Sequence, residues 1–390
     1  MCAVESSRRI LGGIPVVELA GSPETIGRAH GRLLRGEVRR SYFELIESRA
    51  LPGLAMELVG EDPKKIKDFA DWCRRQALRY EDRIPDAYAV EMRALARETD
   101  LDRGQILLAQ TLLDVVELAG MTHSGPFFHA CTQAAFLPEA TGGPVLVARN
   151  LDWPSFGLAH ELGVLFHVLP DDGIPFWSLG FAGSLGTLTA VNREGLCVTE
   201  ESLTVTTDVS DEGIPTFLLH RLLAERENTV AGAVERLCRA PRNNGYHTLI
   251  VSGRERDART VLHSARRYAV RGPRAGVCWG VETDRQAARY EGGVMPPEEV
   301  PLTDETSDFR YLRMKQLLER DGPPVTVEKL KTWLGDDIHP ETGRPDTTLH
   351  CLANETTLQS LAADLTRMEI QAAMGVIPAP RGGWVSVDAR

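Results

Sequence analysis

The spacing of apolar residues divides the chain into two textures that meet near residue 130. Before that point they recur every three and four positions, the repeat of helices that bury one face. Ser22-Pro23 places a capping hydroxyl ahead of a first-turn proline, so a helix is expected to begin there and continue through "ETIGRAHGRLLRGEVRRSYFELIESRA". Further helices are expected over about 63–82, 85–99 and 103–119, the last closed by a glycine. Beyond 130, short apolar runs between turn residues replace this pattern. "PVLVARNL", "HELGVLFHVL", "PFWSLGFA", "GTLTAVN" and "GLCVTEESLT" read as strands. A helical block returns at about 213–240, followed by strands at "YHTLIVSG", "TVLHSA" and "GVCWGVE" and a helix at about 307–320. "TTLHCLAN", "TLQSLAADL" and "RMEIQAA" predict a final antiparallel set. With no internal repeat or low-complexity linker, the pattern predicts an α+β architecture of stacked sheets with helices outside.

One local geometry points to chemistry. "CTQAAFLP" and "GPVLVARNLDW" flank the turn "EATGG" and should pair as a β-hairpin. A turn centred near 140–141 sets Cys131 opposite positions 150–151, with Arg149 and Asp152 on either side. A cation beside a thiol favours the thiolate, and a carboxylate can fix the arginine and bond a nearby amine. Taken singly, a cysteine at a strand start is more often a small core residue, and an Arg/Asp pair a surface ion pair. Only the three together point to a site.

Composition narrows the partners. A net charge of −11, with acidic residues interleaved among the arginines, disfavours nucleic acid. No apolar run of about 18 residues and no secretory signal is seen, so no membrane partner and a cytoplasmic location are expected. The seven cysteines are widely spaced without a CxxC pair, which argues against a disulfide framework or zinc site. The ten histidines show no HxxxH or HExxH spacing, so no metal is expected; His339 and His350 are read as scattered surface or hydrogen-bonded residues. No cofactor motif is found. "AGSLG" (182–186) lacks the first glycine of a serine nucleophile elbow and precedes a β-rich run, so it reads as a turn between strands. Trp153, just past Asp152, is a candidate substrate-binding residue or equally a core aromatic.

"HACTQAAF" with "GGPVLVARNLDW" resembles the core motif of the acyl-coenzyme A:6-aminopenicillanic acid acyltransferase family, relatives of the choloylglycine hydrolases. "VVELAGSPETIGRAHGRLL", with Gly21, Ser22, Gly27, His30 and Gly31, is similar to the family's opening segment. "AVNREGLCVT" resembles its central strand pair, and "TSDFRYLRMKQLL" its Ser-x-x-Arg helix start, which maps a functional arginine onto Arg310. The resemblance implies a four-layer αββα N-terminal-nucleophile hydrolase sandwich with a helical N-terminal segment. It also implies autocatalytic cleavage between Ala130 and Cys131, giving a retained helical chain 1–130 and a catalytic chain 131–390. Cleavage would free an α-amine whose ordinary pKa suits a general base. Cys131 would then attack an N-acyl amide or thioester, with Arg149, Asp152 and Arg310 around it, and pass the acyl group to water or an amine. A role in specialised metabolism is expected by analogy alone. The partners implied are a small-molecule acyl or amide substrate, the cleaved N-terminal chain and a homo-oligomer.

Three positions depart from the family pattern. Asp284, in "WGVETDRQ", stands where relatives carry an oxyanion-donating asparagine, and an ionised aspartate cannot donate. Glu200-Glu201-Ser202 follows "GLCVT" where an asparagine is common, making Glu201 a candidate partner for a cationic substrate group. Thr248 replaces a strand asparagine, with Asn243 and Asn244 as possible substitutes. These departures leave a second reading open: a non-catalytic small-molecule-binding relative with a degenerate oxyanion site.

Overall fold

A computed structural model of the chain describes residues 5–120, 130–202, 208–280 and 305–390. The described residues form two sheets. The larger has the order β1(Ser7–Leu11), β2(Ile14–Gly21), β5(Gly163–Pro170), β6(Phe176–Phe181), β7(Thr189–Asn192), β8(Leu196–Ser202), β9(Tyr246–Ser252), β10(Asp257–His263), β11(Tyr268–Arg271). The smaller runs β12(Val277–Trp279), β3(Ala130–Phe136), β4(Leu146–Asp152), β13(Thr357–Asp364), β14(Glu369–Met374), β15(Val385–Asp388). Neighbouring strands pair antiparallel except β2 and β5, which run parallel.

Successive residues of a strand face opposite ways, and each sheet is apolar on both faces. Val16, Leu165, Trp177 and Val191 of the larger sheet meet Val147, Leu361 and Ala363 of the smaller one between the sheets. On the larger sheet's outer face, Val17, Leu19, Val164 and Phe166 lie under α1(Pro23–Leu33), α5(Asp86–Thr99) and α6(Arg103–Leu118). Val198, Ile250 and Val261 lie under α8(Thr216–Arg226) and α9(Val230–Arg239). The smaller sheet's outer face, with Phe136, Leu146 and Ala148, packs on α10(Glu305–Asp321) and α11(Val327–Leu334). The result is the expected four-layer αββα sandwich.

The helix starts lie where their capping residues put them. Ser22 accepts from the Thr25 N–H to open α1, Asp62 opens α4(Pro63–Arg79), and Asp102 forms a capping box with Gln105 at α6. After α1 come α2(Arg35–Arg40), a π-helical stretch Ser41–Ala50 and α3(Leu51–Val59). Gly27 lets α1 approach α5 closely: a Cβ there would sit 2.2 Å from the Glu91 carbonyl oxygen.

Two expectations change. The first third is helical only after Gly21, because its start forms β1 and β2, and β2 is an inner strand of the larger sheet. "TTLHCLAN" is no strand: 347–354 form turns, held by contacts such as the Asn354 side-chain amide donating to the Cys351 carbonyl at 3.1 Å. Its apolar Cys351, Leu352 and Ala353 are buried as loop residues.

Candidate active site

The hairpin register matches the turn argument. Ala130 pairs with Asp152, Cys131 with Leu151, and Gln133 with Arg149. The connection between the strands is a helical turn, α7(Pro138–Thr141), ended by Gly142 at φ 76°, where a left-handed residue favours glycine. Cys131 is 2% exposed, and the guanidinium Nη2 of Arg149 donates to its sulfur at 3.6 Å. Among the described cysteines, only the Cys131 sulfur accepts from a guanidinium.

Arg149 is held on every side. It donates to the Glu200 carbonyl at 3.0 Å, to Glu200 Oε1 at 2.9 Å and to the Thr189 hydroxyl. Burial pushes the Cys131 thiol well above its ordinary range; Arg149 pulls it down, while Glu200, Glu201 and Asp152 push it further up. In the intact chain this thiol is therefore protonated and a poor nucleophile.

Three buried carboxylates and two buried arginines share this space. Asp152 Oδ1 accepts from Thr357 at 2.6 Å, while Oδ2 has no hydrogen-bond donor. Arg310 Nε lies 4.0 Å from that oxygen, and Arg310 Nη2 lies 3.9 Å from Glu201. Glu201 Oε2 is also without a donor. Burial raises Asp152 to about 6, opposed mainly by Arg310, and Glu200 to about 7, opposed by Arg149. Burial also drives Glu201 well above the ordinary carboxylate range, opposed mainly by Arg310. Arg310 is anchored by donating to the Leu349 carbonyl at 2.6 Å and to Ser307 at 3.0 Å.

Cys131 lies between two spaces of opposite character. On one side is an apolar cavity of ≈ 160 Å³, lined by α6 residues such as Ile106, Ala109 and Leu113, by Tyr42 and Ile46, and by Trp153. On the other is a space of ≈ 10 Å³ walled by Glu201, Arg310, Ser307 and Trp279. "AGSLG" is the expected turn after β6: Gly183 donates its N–H to His30 Nε2 at 3.0 Å, and its carbonyl accepts from Gln110 at 2.8 Å. Burial, then Arg221, lowers His30 to about 3, so it is the neutral acceptor this contact needs.

The structure brings Cys131, Arg149, Asp152, Arg310 and Glu201 together and sets Trp153 on the cavity wall. Asp284 lies outside the described residues, as do 121–129 ahead of the Ala130–Cys131 bond. Asn243 and Asn244 do not replace the missing asparagine: both donate to Asp114, at 3.2 and 2.8 Å. Thr248 instead links His220 and His263, at 3.0 Å to each. The residue that sequence reasoning undervalued is Glu200. It, rather than Glu201, holds Arg149 and lines the apolar cavity; the doubled acid was the available signal.

His339 and His350, scattered in sequence, pack against Phe309 at 4.9 Å each and gather with Asp346, their donor atoms within 4.8 Å of one another. Those donors are engaged locally. His339 Nδ1 accepts from the Glu341 N–H at 3.2 Å, and Asp346 accepts from the Thr348 N–H at 3.0 Å.

The family model described as acyl-coenzyme A:6-aminopenicillanic acid acyl-transferase matches residues 139–333, half of the chain. The chain belongs to this family. The matched span begins after Cys131, so it covers Arg149, Asp152 and Arg310 but leaves the cysteine itself to the geometry. Membership places the chain among acyl-transfer enzymes of the amidohydrolase and acyltransferase kind. Among solved structures, the N-acylethanolamine-hydrolyzing acid amidase ortholog of Caenorhabditis elegans is 14% identical (TM-score 0.43, 61% of this chain and 93% of that one). Penicillin V acylase from Agrobacterium tumefaciens is 16% identical (TM-score 0.43, 66% and 86%). The C2A mutant of conjugated bile acid hydrolase from Clostridium perfringens is 12% identical (TM-score 0.40, 66% and 92%). No curated protein matches the chain by sequence. Among the described residues, no helix is long and apolar enough to cross a membrane.

Proposed function

We propose that the chain cuts itself between Ala130 and Cys131 and then works as a cysteine amidohydrolase or acyltransferase on a small N-acyl compound with a compact apolar acyl group. The observation that carries this reading is the pair of open acceptors beside Cys131. Asp152 Oδ2 and Glu201 Oε2 are buried without donors, and Asp152 pairs directly across from Ala130. A buried carboxylate oxygen without a donor is costly, so an arrangement that keeps two of them awaits a donor. The α-ammonium released at Cys131 would emerge beside Asp152 with three N–H groups. Its positive charge would also favour the ionised forms of Asp152 and Glu201, which burial opposes.

The chemistry follows from that amine. Its ordinary pKa near 8 lets it take the thiol proton at neutral pH, which the buried thiol of the intact chain does not give up unaided. The thiolate attacks the acyl carbonyl, the amine's proton passes to the leaving nitrogen, and a thioester remains for water or a second amine to open. Arg149 holds positive charge at the sulfur throughout. The apolar cavity receives the acyl group; an apolar cavity of about 150 Å³ takes a benzene-sized ligand, which sets the scale against the ≈ 160 Å³ here. Nearly half of its wall is built from residues before 130, so the N-terminal chain must stay in place for substrate to bind.

Intact mass of freshly purified protein beside Cys131→Ala tests this. Two fragments meeting at Ala130/Cys131, absent in the variant, together with one fast-reacting thiol, are expected. A single full-length mass in both would overturn self-cleavage and leave the site to ligand binding without turnover.

A further inference from the structure

A second cavity shares a lining residue with the first and lies among residues 81–107 of the helical layer. It measures ≈ 240 Å³ and is walled by α5 and α6. Its apolar lining is Ile84, Ala89, Met92, Ala96, Ile106 and Leu107. Ile106, 2% exposed, also lines the cavity that holds Cys131, so the two spaces share this side chain. Four charged residues complete the lining: Arg93, Arg97, Arg103 and Glu81. Arg103 pairs with Glu81, and Arg97 reaches Glu24 at 3.6 Å. Arg93 is exposed and makes no ion pair among the described residues. The lining thus carries three cations against one anion, on a protein whose net charge is −11.

An apolar pocket edged by exposed cations fits a ligand with an aliphatic chain and a negatively charged head. A neutral lipid would leave Arg93 without a counter-charge, and a cationic amphiphile would be repelled. We propose that this cavity is a second binding site, for a single-chain amphiphile with an anionic head group, carboxylate or phosphate, whose chain lies along Met92, Ala96 and Leu107 and whose head meets Arg93. The site stands apart from Cys131 chemistry: its occupant is bound and not turned over.

The test is binding, which keeps it distinct from any failure of turnover. Dodecanoate, dodecyl phosphate and dodecyltrimethylammonium are titrated calorimetrically into full-length Cys131→Ala protein. Ala89→Trp fills the second cavity, Ala109→Trp fills the first, and thermal melts check that both fold. Anionic probes are expected to bind the Ala109→Trp protein and to fail with Ala89→Trp, while the cationic probe binds neither. Arg93→Glu should weaken the anionic probes about tenfold, the effect of replacing an attraction by a repulsion at an exposed head group. The relative affinities of carboxylate and phosphate then name the head group. Loss of binding in Ala109→Trp alone, equal affinity for the cationic probe, or no change in Arg93→Glu would each overturn the proposal.

Discussion

Two of the buried charge clusters among the described residues are built to opposite standards. Around Arg221 every bond is made. Its guanidinium grips Glu91 through both oxygens at 2.9 and 2.7 Å, donates to Glu225 at 3.1 Å and to the Leu185 carbonyl at 3.1 Å, and lies 4.5 Å over the Tyr88 ring. Tyr88 closes the set by donating to Glu225 at 3.2 Å. Around Cys131 the ions are as deeply buried, yet Asp152, Glu201 and Arg310 each keep a polar atom without a hydrogen-bond partner, and their ion pairs stretch to 3.9 and 4.0 Å. A buried pair contributes to stability only when its geometry satisfies both partners. The first cluster meets that condition and ties α5, before Cys131, to α8, after it. The second does not, and its open acceptors are what a new chain terminus would use.

The contrast predicts that damage at the two clusters has different readouts. Asp152→Asn should reduce self-cleavage and turnover by about 100- to 10,000-fold, the range lost with an acid–base partner, while the melting temperature moves little. Cleavage half-life and kcat, read beside a thermal melt, check this; an equal loss of stability would make Asp152 a structural residue like Glu91. Arg221→Met should do the reverse. Leaving Glu91 and Glu225 without their cation costs about 3–5 kcal/mol, visible in denaturant melts, with activity per folded molecule retained.

The smallest effect is a pH dependence. The acids Asp152 and Glu200, raised to about 6 and about 7, bind protons more tightly folded than unfolded. Their contribution is full below about pH 4, where both states are protonated, and is lost as pH rises through 6 and 7. These two groups alone should therefore cost the uncut Cys131→Ala protein on the order of 3 kcal/mol between pH 5 and pH 8, with buried Asp114, also raised to about 6, adding in the same sense. Adding Glu200→Gln should flatten the profile; an unchanged profile would assign the proton uptake elsewhere.

What the sequence made legible follows distance along the chain. Helices α4 and α6 announce themselves through local caps and a repeat of three and four, and α5, uncapped by a side chain, through the repeat alone. The Cys131 hairpin is set by one short turn, so its register could be counted residue by residue. β1 and β2 do carry a local signal, a hairpin closed by Gly12-Gly13, which a helical reading of the first third passes over; only the pairing of β2 with β5, more than a hundred residues away, is beyond local reach. "TTLHCLAN" misled in the opposite sense, because apolar residues in a buried loop imitate a strand. At the site, Arg149 and Asp152 were readable from pairing. The division of labour between Glu200 and Glu201 was not: adjacent strand residues face opposite ways, and which way each points depends on the second sheet. His339 and His350 show the same limit, since a chain reversal between them, not their spacing, brings them to Phe309.

The parallel seam between β2 and β5 has a consequence for the protein's life history. With β2 stitched inside the larger sheet, a chain cut after residue 130 would hold together as an interlocked pair, neither part able to leave without tearing that sheet. The cut would also work in one direction only. Before it, unfolding and refolding involve a single molecule; after it, the two parts must find each other again, and recovery depends on concentration. Such a protein would fold once as one chain and thereafter persist by not unfolding.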